Sequence, residues 1–240
     1  MTHRLAPIAL ALWMAAALAA GPAQAQSTTS DSTSAESMLI VTRVDTRKCA
    51  YPQCGGYFVK AVNVARTRCA DGTLQKECHA VQLNTLALGW SPEQQAAFEA
   101  QLAAGKAMVK GKLEPAPAGF YTAEQLTVSQ AWQGQGTRKA LGTWYSAFNT
   151  GIVCITSPCP SFGVTPLNAP AGTPTLNPDL DLASLTGASQ AAVQAAYVAM
   201  DGGQILVAGA IVPVTYGTVS GGTATGTRLL ATQFYLPAKP

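Results

Sequence analysis

The sequence predicts an α+β fold: two tandem related repeats, each a small antiparallel sheet with one packed helix and a short disulfide-closed loop. Three observations point there. Cys49-Ala-Tyr-Pro-Gln-Cys54 returns at an offset of 105 as Cys154-Ile-Thr-Ser-Pro-Cys159, each time with a proline among the four enclosed residues. A G-x3-V-x-G-x-[LI]-x-P frame runs from Gly105 to Pro115 and again from Gly203 to Pro213. Each copy also combines short runs of alternating apolar residues with a single stretch of helical spacing.

In the first repeat, residues 38–136, alternation predicts strands over 38–45 and 57–63 on either side of the cysteine loop, and a third over 80–88. Ser91-Pro92-Glu93 offers an N-cap, a proline at the first helical position and an acid in the first turn, so a helix is expected over 92–104 until Gly105 stops it. Strands 107–114 and 125–132 follow. In the second repeat, residues 137–240, strands are expected at 143–149, 162–167, 205–213 and 228–236, with a helix over 189–200 ending at Asp201-Gly202-Gly203. The stripes Ala96, Phe98, Leu102 and Val193, Tyr197, Met200 would pack each helix on its sheet. Beyond the cysteines, Tyr57, Val59, Val62 and Asn63 match Phe162, Val164, Leu167 and Asn168 without a gap.

The chain opens with Arg4, an apolar run of thirteen residues from Ile8 to Ala20, and the small-x-small site Ala23-Gln24-Ala25. This predicts a signal peptide over 1–25. A membrane span needs about 20 apolar residues, and no cysteine near the cleavage site offers a lipid attachment point. The cleaved product is therefore expected without a membrane anchor, in the periplasm or outside the cell. Residues 26–37, rich in Ser and Thr, read as a disordered leader.

All six cysteines follow the predicted cleavage site, and an even number in an exported chain favours disulfides. The second copy has only Cys154 and Cys159, which must bond each other. By equivalence Cys49 bonds Cys54, leaving Cys69 for Cys78. Zinc is the alternative, because His79 follows Cys78, although the eight residues between Cys69 and Cys78 are wide for a zinc pair. No cofactor and no metal is expected.

Only His79 remains after cleavage to serve Ser-His-Asp or Cys-His chemistry, and no nucleophile elbow, H-E-x-x-H pair or phosphate loop is present. Acids are scattered. Without Arg4 the chain carries 14 basic and 12 acidic residues, too balanced for a nucleic-acid binder. Arg43, Arg47, Lys48, Lys60, Arg66 and Arg68 cluster around the first cysteine loop. From residue 137 onward only seven of 104 residues are charged, which predicts either heavy packing against the first repeat or an uncharged contact face.

The stretches Asp45 to Val59 (D-x-R-K-C-x4-C-G-G-Y-F-V) and Gly151 to Phe162 (G-I-V-C-I-T-S-P-C-P-S-F) resemble an uncharacterised bacterial family of exported proteins described only as a domain of unknown function. That resemblance implies secretion and the duplicated layout and supplies no activity. The V-x-G-x-[LI] strand followed by L-x-V-x-x-[AF]-[WY] is similar to the barrel of netrin-like and tissue-inhibitor domains, without their opening cysteine pattern. The functional expectation is a non-catalytic binding or interaction module that meets a protein or polymer partner outside the cytoplasm. Tyr51, Pro52, Gln53, Thr156, Ser157 and Pro158 at the loop tips are its candidate contacts. The alternatives are a secreted or periplasmic hydrolase, a hydrolase inhibitor, and a structural envelope component.

Overall fold

The first α-helix begins where the sequence places it: Ser91 accepts from the backbone of Gln94, and the Gln94 side chain reaches back to the Ser91 N–H. The reciprocal cap satisfies two N–H groups that a helix end otherwise leaves without partners. The computed structural model describes residues 35–118, 121–218 and 220–239. The signal peptide expected at 1–25 lies outside them, as do residues 26–34 of the expected leader. Ser37, the last residue assigned to that leader, opens the first strand.

The first half supplies β1 (Ser37–Val44), β2 (Tyr57–Ala61), β3 (Thr67–Arg68), β4 (Leu74–Gln75), β5 (Cys78–Ala80), β6 (Gln82–Asn84), α1 (Pro92–Ala103), β7 (Ala107–Ala118) and β8 (Tyr121–Gly134). The second supplies β9 (Thr143–Asn149), β10 (Phe162–Pro166), β11 (Thr175–Asn177), β12 (Asp179–Asp181), α2 (Gln190–Asp201), β13 (Ile205–Gly217) and β14 (Thr223–Pro237). The strand expected over 80–88 divides into β5, β6 and a 3-10 turn at Leu86–Leu88.

These elements correct the α+β expectation. Among the described residues the structure is mostly β, 47% strand against 13% helix, and twelve strands form one sheet rather than two small ones. Its main path is β11-β10-β9-β13-β14-β8-β7-β1-β2-β5, with β12 beside β14 and β6 beside β8. The halves join where Tyr235, Leu236 and Pro237 of β14 pair with Gly134, Gln133 and Trp132 of β8. A further cause raises the strand content. Pro115 and Pro213 read as strand ends, yet β7–β8 and β13–β14 run past them as two-stranded ribbons, where a missing N–H can face the open edge.

Alternation along the long strands builds three cores. Ala107 and Val109 face α1, while Met108 between them faces the other way; Ile205 and Val207 face α2, with Leu206 between them turned away. Phe98 and Leu102 bury α1, and Ala96 is exposed. On α2 the buried positions are Ala196 and Met200, with Val193 and Tyr197 half-buried at the margin. The third core lies between the halves and gathers Met38, Val62, Met108 and Trp132 with Trp144, Leu167, Leu206 and Tyr235. Each such side chain taken fully out of water contributes about 1.5–3 kcal/mol, so the halves are bound by apolar contact as well as by the sheet.

Two asparagines close this junction reciprocally. Asn63 donates from Nδ2 to the carbonyls of Trp144 (2.6 Å) and Leu167 (3.0 Å) and accepts from Trp144 N (2.9 Å). Asn168 donates to Met38 and Val62 (both 2.9 Å) and accepts from Met38 N (2.8 Å). Both adopt left-handed backbone angles, φ +59° and +56°, a conformation that asparagine tolerates better than most residues.

Candidate functional site

The first cysteine loop is held from below by a buried carboxylate. β1 ends at Val44, so Asp45 sits at the loop entrance, where its N–H donates to Gly56 O (3.0 Å). Its side chain is 1% exposed and accepts from Arg47 Nη2 at 2.8 Å, and its Oδ2 lies 3.1 Å from His79 Nε2. Arg47 also donates to Gln53 O at 2.9 Å, and His79 Nε2 lies 2.8 Å from Gly55 O. A carbonyl can only accept, so Nε2 carries the proton and is committed as a donor. The Arg47 hydrogen bonds hold the Asp45 carboxyl well below the usual carboxylate range, against the opposing effect of burial.

Phe58 stacks on His79 with ring centroids 4.8 Å apart, and the Arg43 guanidinium lies 3.4 Å from the Phe58 centroid. Arg43 in turn pairs with Glu77 at 2.5 Å. The basic cluster read from the sequence is therefore largely engaged: Arg43 and Arg47 by carboxylates, Arg66 and Arg68 by the carbonyls of Leu74 and Gly72.

The hydrolase alternative requires His79 and a carboxylate to line one concave pocket. His79 does meet Asp45, but both groups are spent on the loop. The grooves beside the asparagine junction, about 460 and 380 Å3, are lined by residues such as Ile40, Lys60, Thr143, Phe148 and Gln204. Neither has His79 or a carboxylate among its described lining residues.

At its tip the first loop is closed by Cys49 and Cys54, with Cα atoms 5.4 Å apart. Tyr51 is 53% exposed, its hydroxyl accepting from Gln82 Nε2 at 2.6 Å; Pro52 is half-buried and Gln53 exposed. The second loop, closed by Cys154 and Cys159 at 5.6 Å, repeats the entrance geometry: Thr150 N donates to Ser161 O (2.9 Å). Thr150 occupies the place of Asp45 at the offset of 105 and brings a hydroxyl that reaches Pro160 O and Ser161 O. Thr156 and Ser157 are exposed and Pro158 half-buried. Beside them are side chains the sequence reading did not select: Val153 is 94% exposed, Ile155 100% and Ile152 43%. The peptide bonds Tyr51–Pro52 and Ser157–Pro158 are both cis.

Cys69 and Cys78 form the third pair, Cα atoms 5.5 Å apart, and both are buried. β5 alternates, so Cys78 and Ala80 face the core while His79 faces the first loop. The Cys/His zinc set considered from the sequence is thus not assembled. Glu124, from β8, reaches the cysteine pair instead.

A family model described as a domain of unknown function, DUF6748, matches residues 38–240. The chain belongs to the DUF6748 family. The match spans both halves of the sheet, both cysteine loops and the junction between them, and it bears out the resemblance to a domain of unknown function. No curated protein and no solved structure matches the chain. Among the described residues of the DUF6748 domain, no helix is long and apolar enough to cross a membrane.

Asp45 makes a testable prediction for this DUF6748 chain. Its folded form holds a proton less tightly than the unfolded chain, so the anchoring it provides is present above the ordinary Asp value of about 3.9 and is lost as pH falls through the lower folded value. Trypsin cleavage after Arg47 or Lys48 should be slow in the wild type and several-fold faster in Asp45→Asn. Hydrogen-exchange protection of the loop, corrected for the intrinsic pH dependence of amide exchange, should be unchanged between pH 7 and pH 5. Loosening within that interval would show that the carboxylate is not the anchor.

Proposed function

We propose that this chain is an exported, non-catalytic binding module that engages a protein or polymer partner through its two disulfide-closed loops. The observation that carries the reading is the placement of Val153 and Ile155, 94% and 100% exposed, beside the Cys154–Cys159 bridge. Aliphatic side chains held in water on a short cyclised loop are pre-organised for burial against something else, with little entropy left to lose. The first loop adds Tyr51, an amphipathic side chain of the kind enriched at interfaces, on a base fixed by Asp45. Three cysteine pairs at bonding distance support an oxidising destination, in the periplasm or outside the cell.

The corresponding cysteine loops, the mirrored strand order and the reciprocal bonds of Asn63 and Asn168 support descent by duplication of residues 38–136 and 137–240. On that reading one copy has kept a charged anchor under its loop. The other has exchanged it for an uncharged, aliphatic tip.

The test is a photo-crosslinking residue placed at Ile155 or Tyr51 in the source cells, with exposed Val198 on α2 as control. Discrete adducts should form from both loop positions, and Val153→Asp should abolish the one from Ile155. Adducts no more frequent than at Val198 would overturn the proposal.

A further inference from the structure

We propose that Cys69, Cys78 and Glu124 form a redox-gated site for a single zinc-class divalent ion, closed while the cysteines are bridged and opened by a dithiol reductant. The site is independent of the loops and of the binding function proposed for them.

Two observations carry it. The two sulfurs and a Glu124 carboxylate oxygen all lie within 4.8 Å of one another, contributed by the segment after β3, by β5 and by β8. Tetrahedral zinc places sulfur about 2.3 Å and carboxylate oxygen about 2.0–2.2 Å from the ion, so the bonded sulfurs must separate before the trio can hold one. Independently, Glu124 Oε2 is buried with no hydrogen-bond partner, while Oε1 accepts from Ala70 N at 3.0 Å. A buried carboxylate oxygen without a donor is costly and rare. Here the Ala70 bond fixes the carboxylate beside the cysteines, as outer-shell bonds orient metal ligands. Burial, with the Asp71 carboxylate nearby, raises the Glu124 carboxyl above its ordinary value, against the backbone N–H groups of Ala70 and Asp71 and the charge of His79, which lower it.

In the bridged state the sulfurs carry no charge and offer the ion little. A dithiol opens the site by exchange: one thiolate attacks Cys69 or Cys78, forming a mixed disulfide and expelling the other cysteine. The second reductant thiol then displaces the remaining one, so the reductant leaves oxidised by two electrons and both cysteines are reduced. Metal binding releases the two cysteine protons to water, together with that of Glu124 where it is protonated. Three protein ligands leave the fourth position to water. His79 is outside the set, because it faces away from Cys78 and is held by Gly55 O and Asp45.

The test uses the full chain carrying Cys49→Ser, Cys54→Ser, Cys154→Ser and Cys159→Ser, so that one pair remains. After reduction with dithiothreitol and its anaerobic removal, zinc is titrated against a chromophoric chelator, and cobalt is followed by its thiolate charge-transfer absorption. One equivalent should bind with the thiolate signature, the oxidised protein should bind none, and Glu124→Gln should weaken binding about 100-fold. Glu124→Gln keeps an acceptor for Ala70, which separates ligation from structural support. In wild type, needing no serine variant to fold, zinc should protect reduced Cys69 and Cys78 from alkylation, and less so in Glu124→Gln. No uptake by the reduced protein, unchanged affinity in Glu124→Gln, or loss of binding in His79→Ala would each overturn the proposal.

Discussion

Alanine in place of Gly209 is expected to destabilise the protein by about 3 kcal/mol, lowering the melting midpoint by roughly 6–12 °C for a domain of this size. A Cβ at Gly209 would lie 2.2 Å from Leu230 O and 3.1 Å from Ala231 Cα. Both are backbone atoms of the paired strand, so no side chain can rotate away to make room. The position immediately follows the bulge where the β13–β14 register shifts between Ala208 and Gly209. Gly111 is its counterpart: it follows the shift between Lys110 and Gly111, and its Cβ would lie 2.3 Å from Thr127 O. Gly111→Ala should therefore cost a similar amount. At Gly217, on the same strand as Gly209, nothing lies within 4 Å of an added Cβ, and alanine there should change stability by less than about 0.5 kcal/mol. Thermal unfolding of the three variants checks the set. Equal effects at Gly209 and Gly217 would refute the steric account.

Asn168→Ala and Asn63→Ala should each cost about 2–3 kcal/mol, from backbone groups left without partners and from an alanine forced into left-handed geometry. Asn168→Gly, which relaxes the backbone but lacks the amide, should recover about 1 kcal/mol of that. The two sites share one junction, so their effects should not add: the double variant should be more stable than the sum of the single losses implies. A double-mutant cycle by denaturant unfolding measures this directly. Strict additivity would mean that the asparagines act independently.

Much of the local structure was legible because local chemistry dictates it. Ser91-Pro92-Glu93 marks the start of α1, Asp201-Gly202 the end of α2, and alternation locates the long strands to within a few residues. The cysteine pairing was legible because the second copy leaves Cys154 a single choice. What the copies do to each other was not. Met108, Leu206 and Tyr235 alternate with residues that face the helices, and nothing in a period of two says whether the second face meets water or another half. Asn63 and Asn168 stood out as a sequence match, but their bonds reach residues 81 to 130 positions away. The anchor under the first loop was hidden for the same reason: His79 comes beside Asp45 only through the register of β2 with β5. Val153 and Ile155 are aliphatic residues whose exposure, 94% and 100%, no sequence pattern announces.

The position of β14 bears on the order in which this protein can become itself. That strand comes last among the described elements, yet it is the seam: it pairs with β13, β12 and β8, and its adjacent Phe234 and Tyr235 fill two different cores. β8 already pairs with β7 and β6, and the core under α1 draws almost wholly on the first half, but the core shared by the halves holds Tyr235 and stays open until β14 is in place. The final strand thus completes both the second half and the seam between the halves.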